Sequence, residues 1–170
     1  MYDNSKWKQD LMRSNSAFIS IVWPTIQTKC GGGRILMVEP DDSGVDFELD
    51  VTCGIDALQI TETGCRGIAV RIQFCDRNWR SFTIRKCRTS LAKTEYEKRK
   101  TQIDKNAGYI YPYLTCQAYI KGETLLGCGV AITKNLYATP MNKINHTTNA
   151  DFYIVNFDDV LDCYEYLIYI

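Results

Sequence analysis

The chain is 170 residues long, a length that suits one domain with its own hydrophobic core, and we predict a single domain over residues 1–170. Charged residues make up 24% and the formal net charge is zero, which excludes a disordered or fibrous chain and a chain that is basic throughout. Because neither a signal peptide nor a membrane-spanning apolar run is present, we predict a soluble, cytoplasmic protein without a membrane partner.

The charges are unevenly distributed along the chain. Residues 35–65 hold eight acids and no base, whereas residues 71–105 hold eleven bases against four acids. An acidic cluster beside a basic stretch can hold metal ions next to a phosphate backbone, although opposite blocks also arise because they neutralise each other.

Cysteine and histidine usage narrows the possible chemistry. The eight cysteines contain no Cys-x-x-Cys pair, whereas zinc ligands usually come in closely spaced pairs, so we predict reduced, structural cysteines. The only histidine, His146, lies in a stretch without an obvious partner motif. This placement disfavours a Cys-His or Ser-His hydrolase.

The first predicted elements are a helix and a strand. A capping Asn4 or Ser5 and an apolar stripe predict a helix within residues 5–28, which Pro24 should break. Residues 35–39 form a short apolar run that predicts a strand.

An alternating segment follows at residues 45–51. Apolar side chains point one way and acids the other, which predicts a strand. The acidic face, formed by Asp46, Glu48 and Asp50, is either solvated or a metal site, since magnesium prefers oxygen ligands on a rigid element.

Residues 54–74 predict two strands joined by a hairpin turn. Strand parity places Arg71 and Gln73 on one face of the second strand. A third strand over residues 81–87 carries Arg85. If these strands are antiparallel neighbours, the three polar side chains form one phosphate-facing surface.

Residues 91–103 form the clearest helix, which Thr89 or Ser90 can cap. Its basic face is either simply solvated or a phosphate contact surface. The predicted nucleic-acid-binding bases around it are Arg88, Lys93, Lys98 and Arg99.

The last third of the chain is predicted to contain mostly strands. Residues 109–121 and 125–137 pair around a turn, residues 138–150 form a loop, and a strand over 151–156 precedes a short helix and a strand over 164–170. This order of elements predicts an α+β fold with a mixed or antiparallel central sheet flanked by helices.

The element order, with Gly54-Ile-Asp56 on one strand and Ala69-Val-Arg-Ile-Gln73 on the next, resembles the PD-(D/E)xK nuclease fold of restriction-type and recombination endonucleases. In that family an aspartate and an acid-x-lysine on the partner strand bind magnesium and activate water. The resemblance implies a restriction-endonuclease-like fold in which Asp56 is the metal-binding aspartate. Arg71 falls where the second acid belongs and Gln73 where the lysine belongs.

Two hypotheses follow from these departures. A guanidinium cannot bind a metal ion, and a neutral amide cannot replace a cation. An active endonuclease therefore needs its second acid from Glu48 or Asp50 and its cation from Lys86 or Lys98. This first hypothesis predicts magnesium- or manganese-dependent cleavage of nucleic acid, with DNA preferred over RNA. Its predicted catalytic residues are Asp56, Glu48, Gln73 and Lys86, and its predicted metal ligands are Asp56, Glu48 and Asp50.

The alternative hypothesis is a nuclease-like protein that binds without cutting. In that case Arg71, Gln73 and Arg85 bind phosphate, and the protein is a regulatory factor, for instance a phage or anti-defence factor. Its partner would then be nucleic acid or another protein. A structural component that forms a homo-oligomer is a third hypothesis.

Overall fold

The computed structural model describes residues 4–38, 48–88, 94–105, 110–148 and 150–167. The helical elements are α1 (Asn4–Ala17), a π-helical turn (Phe18–Val22), α2 (Trp23–Ile26), a second π-helical turn (Glu48–Thr52), α3 (Glu95–Lys105), α4 (Thr133–Ala138) and a 3-10 turn (Phe157–Asp159). The strands are β1 (Arg34–Met37), β2 (Ala57–Thr61), β3 (Gly64–Phe74), β4 (Ser81–Arg88), β5 (Leu114–Lys121), β6 (Thr124–Ile132), β7 (Lys143–His146), β8 (Ala150–Asn156) and β9 (Tyr164–Leu167).

The strands form two sheets. The larger has six strands in the order β1-β2-β3-β5-β6-β9, and it is mixed because β3 and β5 run parallel while the other neighbours run antiparallel. The smaller sheet has the order β4-β8-β7 and is antiparallel. The predicted α+β class with a mixed sheet is thereby confirmed.

The N-terminal helices cover one face of the large sheet. Phe18, Val22 and Ile26 are buried in a cluster with Ile68 of β3 and Ala118 of β5. The alternation of β3 therefore places Val70 and the other even-numbered apolar residues toward these helices, as the sequence predicts.

Pro24 does not break this helical segment, which continues through α2 to Ile26. The prediction was wrong because Pro24 occupies the first turn of α2, directly after the wider π-helical turn. Proline is tolerated there, since its missing N–H is not needed for the helical ladder.

The small sheet covers the opposite face of the large sheet. Phe82 and Ile84 of β4 are buried with Tyr119 of β5 and Phe157 in a second core cluster. The Tyr119 hydroxyl also donates a hydrogen bond to the Ser81 carbonyl oxygen at 2.6 Å. The space between the two sheets is therefore mostly a packed core.

Residues 48–52 correct the strand predicted over 45–51, of which residues 45–47 lie outside the described part of the chain. The backbone N–H groups of Gly54 and Ile55 donate to the carbonyl oxygens of Asp50 and Leu49, so this segment satisfies its backbone groups locally. Gly54 closes the turn with φ at +64°, a conformation that glycine adopts without strain. Because this segment is a turn, Glu48 and Asp50 do not lie on a strand of either sheet.

The expected pairing of β3 with the strand after it is also wrong. β3 pairs with β2 and β5, whereas β4 pairs with β8 in the small sheet. The physical reason is that Phe82 and Ile84 bury their side chains between the sheets, which requires β4 to lie in a separate layer.

Three further boundaries differ from the sequence predictions. The strand expected over 125–137 ends at Ile132 and gives way to α4, and β7 lies within the expected loop 138–150. α3 begins at Glu95 with Thr94 as its cap, whereas Thr89 and Ser90 lie outside the described residues.

All eight cysteines are free thiols, as expected. None of the helices in the described ranges is long and apolar enough to cross a membrane.

Candidate functional site

A cleft of about 550 Å³ lies where β3, β4, β5 and the first turns of α3 meet the segment 50–56. It opens on the face of the large sheet that carries the small sheet. Three carboxylates line it, namely those of Asp50, Asp56 and Glu95. Four bases also line it, namely Arg71, Arg85, Lys98 and Arg99.

Asp56 lies directly before β2, on the strand pair that the sequence singles out. Its Oδ2 accepts a hydrogen bond from the backbone N–H of Val70 at 2.6 Å, which fixes the carboxyl against β3. Burial raises the pKa of Asp56 to about 7, the Val70 N–H opposes the rise, and the nearby Asp50 and Glu95 carboxylates add to it. Asp56 is therefore a buried acid beside other acids.

Asp50 reaches the same cleft from the π-helical turn. Burial raises its pKa, and the positive charge of Lys98 on α3 opposes the rise. Asp50 and Lys98 are thus close enough to interact, and this lysine is one of the two that the sequence offered as the cation.

The donor set for a metal ion is small. Within the described residues, no three His, Cys, Asp or Glu side chains cluster closely enough to hold an ion. Magnesium sites that act on phosphates often use only one or two carboxylates, with waters and substrate oxygens completing the coordination. Asp50 and Asp56 are acceptor-only groups close enough to raise each other's energy when ionised, so their chemistry fits such an ion.

Glu95 is a residue of the cleft that the sequence reasoning missed. Its Oε2 pairs with Nη2 of Arg71 at 2.8 Å and accepts the backbone N–H of Arg85 at 3.4 Å. A signal was present, because Thr94 and Glu97 form a capping box that places Glu95 in the first turn of the helix.

Arg71 and Arg85 both lie near the Phe152 ring and both line the cleft, although their strands belong to different sheets. Both guanidinium groups lie near the Phe152 ring, at 5.6 and 5.7 Å from its centroid. Sequence reasoning expected the two arginines to meet as neighbours in one sheet, and the structure brings them together through the packing of two sheets. Guanidinium groups bind oxyanions, and Arg71 already pairs with one, the Glu95 carboxylate.

Arg99 has a different position from the other bases. It is only 5% exposed, and its guanidinium donates to the backbone carbonyl oxygens of Cys53 and Gly54 and to the Gln102 side chain. These contacts tie α3 to the segment that carries Asp50 and Asp56. Arg99 therefore holds the cleft wall in place.

Gln117 on β5 is the second lining residue that sequence reasoning missed. It is 1% exposed, and its Oε1 accepts hydrogen bonds from the backbone N–H and the hydroxyl of Thr83 at 3.3 and 3.1 Å. No pattern in the sequence marks it, because a lone glutamine in a buried strand has no characteristic spacing.

Two other predicted site residues with described side chains, Gln73 and Lys86, are not among the residues that line the cleft. Gln73 shares a strand with Arg71 but lies beyond the cleft, and the Lys86 amino group lies 5.5 Å from the centroid of the Tyr153 ring instead. Lys93 and the side chains of Glu48 and Arg88 lie outside the described part of the chain.

Comparisons of the chain with protein-family models, with curated proteins and with solved structures found no match.

Proposed function

We propose that this protein is a magnesium- or manganese-dependent endonuclease with a restriction-endonuclease-like fold, and that the cleft holds the scissile phosphodiester of a nucleic acid. One observation carries the proposal. Asp50 and Asp56 line one cleft together with Lys98, and Arg71 and Arg85 line the same cleft. Carboxylates beside a lysine and phosphate-binding arginines are the groups that metal-assisted phosphodiester hydrolysis requires.

Each group has a role in this proposal. Asp56 and Asp50 would hold the ion, which would supply Lewis-acid charge and lower the pKa of an attacking water. Lys98 lies beside Asp50 and stabilises the negative charge that develops on the phosphate oxygens. Lys98 thus takes the place of the family's lysine, but from α3 rather than from β3.

The test is cleavage of plasmid, linear duplex and single-stranded DNA, and of RNA, by the purified protein with magnesium or manganese. We expect cleavage of DNA, and we expect Asp56→Asn to reduce it by at least about a hundredfold because a metal ligand is lost. Asp104→Asn is the matched control, since Asp104 is an exposed carboxylate on α3 that pairs with Lys100.

The proposal fails if no substrate is cut with either ion. It also fails if Asp56→Asn cuts as fast as Asp104→Asn, because the cleavage would then come from another site or from a contaminant.

A second candidate function, binding without cutting, is favoured by the ion pair between Arg71 and Glu95. This pair neutralises the third carboxylate of the cleft, so Asp50 and Asp56 are the two carboxylates that remain beside Arg85 and Lys98. We then expect DNA binding that weakens steeply with salt and weakens further in Arg85→Ala and Lys98→Ala. Binding that ignores salt and both substitutions would indicate a protein partner instead.

A further inference from the structure

The amide of Gln117 is a buried polar group whose two ends have different surroundings. Oε1 is used by Thr83, whereas Nε2 has no hydrogen-bond partner among the described protein atoms. Buried side-chain donors are nearly always paired, so an unpartnered one in a cleft wall needs an explanation.

The orientation of the amide follows from its partners. The backbone N–H of Thr83 can only donate, so the Gln117 atom that faces it must be the carbonyl oxygen. The NH₂ group is therefore fixed at the other end of the amide. Gln117 lines the cleft, but its Nε2 is itself buried, so a ligand in the cleft reaches these donors after a small movement of the side chains that cover them.

The chemistry of the missing partner is an acceptor. An NH₂ group donates only, and the bases Arg71, Arg85 and Lys98 line the same cleft. A group that accepts hydrogen bonds suits the NH₂ group of Gln117, and negative charge suits a cleft lined by these bases. A phosphate oxygen of a nucleic-acid backbone has both properties.

We propose that Gln117 is a substrate-positioning residue, which donates its amide hydrogens to a non-bridging oxygen of the phosphodiester held in the cleft. This inference rests on the proposed binding of nucleic acid, and it adds a neutral donor from β5 to the charged groups of β3, β4 and α3. Gln117 orients the phosphate relative to Asp56 and takes no part in proton transfer.

Two substitutions of Gln117 separate this role from a purely structural one. Gln117→Met keeps the length of the side chain but removes both the donor and the acceptor. Gln117→Glu keeps an acceptor for Thr83 and replaces the donor with a negative charge. A negative charge at any lining residue repels phosphate, so Thr115→Glu, also on β5 in the cleft wall, is the control for charge alone. If Gln117 only supports Thr83, Gln117→Glu should weaken binding no more than Thr115→Glu. If Gln117 binds phosphate, Gln117→Glu should be the weaker binder of these two.

The measurement is the dissociation constant of a short fluorescent DNA duplex in a buffer with calcium in place of magnesium, since calcium also takes carboxylate oxygen ligands. We expect Gln117→Met to weaken binding about tenfold and Gln117→Glu about a hundredfold, since the former loses a hydrogen bond to a charged group and the latter adds repulsion. Gln9→Met, at an exposed position of α1 on the other side of the large sheet, is the matched control and should change the constant less than about twofold.

A second readout does not depend on the stability of the variants. In ¹⁵N-labelled wild-type protein, the Gln117 side-chain amide signal, assigned by its absence from Gln117→Met, should shift when the duplex is added. A bound duplex that leaves this signal and the affinity of both variants unchanged overturns the inference but leaves the proposed function standing. If the wild-type protein neither binds nor cuts DNA, the proposed function fails and the inference fails with it.

Discussion

At Asp56, the negative charge that the proposed activity requires lowers the stability of the folded protein. The carboxyl is buried, and Asp50 and Glu95 place further negative charge beside it. Its pKa of about 7 means that ionisation of this side chain at neutral pH costs the folded protein free energy. A bound cation would offset that cost, which is why such an arrangement suits a metal ligand.

We expect Asp56→Asn to stabilise the metal-free protein at alkaline pH. The folded pKa is raised above the ordinary value of 3.8, so the protonated acid stabilises the fold below about pH 4 and this stabilisation is lost as the pH rises through 7. The rise of the Asp56 pKa from 3.8 to about 7 corresponds to a loss of up to about 4 kcal/mol in the free energy of unfolding at alkaline pH. The buried amide of the variant retains part of the burial cost, so we expect the variant to be more stable by about 2 kcal/mol at about pH 8.

Urea unfolding in EDTA at acid and alkaline pH gives this difference. Other groups titrate over the same range, but they do so in both proteins, and the difference between wild type and variant isolates Asp56. The same difference measured for Asp104→Asn should stay near zero at both pH values. A stability difference for Asp56→Asn that does not grow with pH would mean that the carboxyl is not buried beside other acids.

At the scale of elements, α3 determines the geometry of one cleft wall through its first turn. The Thr94 hydroxyl accepts the Glu97 N–H and donates to the Lys86 carbonyl oxygen, and the Glu97 carboxylate accepts the Thr94 N–H. Thr94, the first residue of this capping box, lies directly before Glu95 and one turn before Lys98. A helix start fixed in this way positions both side chains relative to β4.

We expect Thr94→Ala to destabilise the protein by about 1 to 2 kcal/mol, since both the cap and the bond to β4 are lost at a position that is 3% exposed. Thr94→Ser keeps the hydroxyl and should lose less than about half of that, as measured by the urea midpoint. DNA affinity should fall in the same order because Lys98 loses its fixed position. Equal stability of the alanine and serine variants would show that the cap contributes nothing.

The sequence predicts those elements whose cause is local. The β2–β3 hairpin follows from the turn residues between two apolar runs, and the parity of β3 follows from its alternation, so Arg71 was placed on the correct face. The alternation of residues 45–51 predicted a strand, and this was wrong for residues 48–51. A π-helical turn closed by Gly54 satisfies the backbone there with local hydrogen bonds instead of a partner strand. β7 was missed because four mostly polar residues carry no periodic signal.

At the scale of the whole molecule, the cleft exists because two sheets pack face to face. Its groups come from the segment 50–56, from β3 and β5 of the large sheet, from β4 of the small sheet and from α3. Sequence reasoning found Asp56, Asp50, Arg71, Arg85 and Lys98 as charged residues of suitable type. Sequence reasoning could not predict that they line one cleft. The pairing of β3 with β5 joins residues more than forty positions apart, and no local pattern encodes it.

Gly129 lies at a close contact between β6 and the Phe157 ring. It is opposite Gln117 in the register of β5 and β6, and a Cβ built on it would lie 2.5 Å from the Phe157 ring. Phe157 is buried between the sheets and contacts Phe82 edge-on, at 4.9 Å between ring centroids. The absence of a side chain at position 129 therefore sets the distance between the two layers beside the cleft.

We expect Gly129→Ala to force Phe157 and the small sheet away from β6, which should destabilise the protein by about 1 to 3 kcal/mol. Gly64→Ala is the matched control, since Gly64 is also a strand glycine but has open space around it, and it should change the stability by less than about 0.5 kcal/mol. Urea unfolding gives both values. Because Gly129 lies opposite Gln117, DNA affinity should also fall in Gly129→Ala under conditions in which the variant is fully folded. A variant that is destabilised but binds DNA normally would show that the cleft does not depend on the spacing of the sheets.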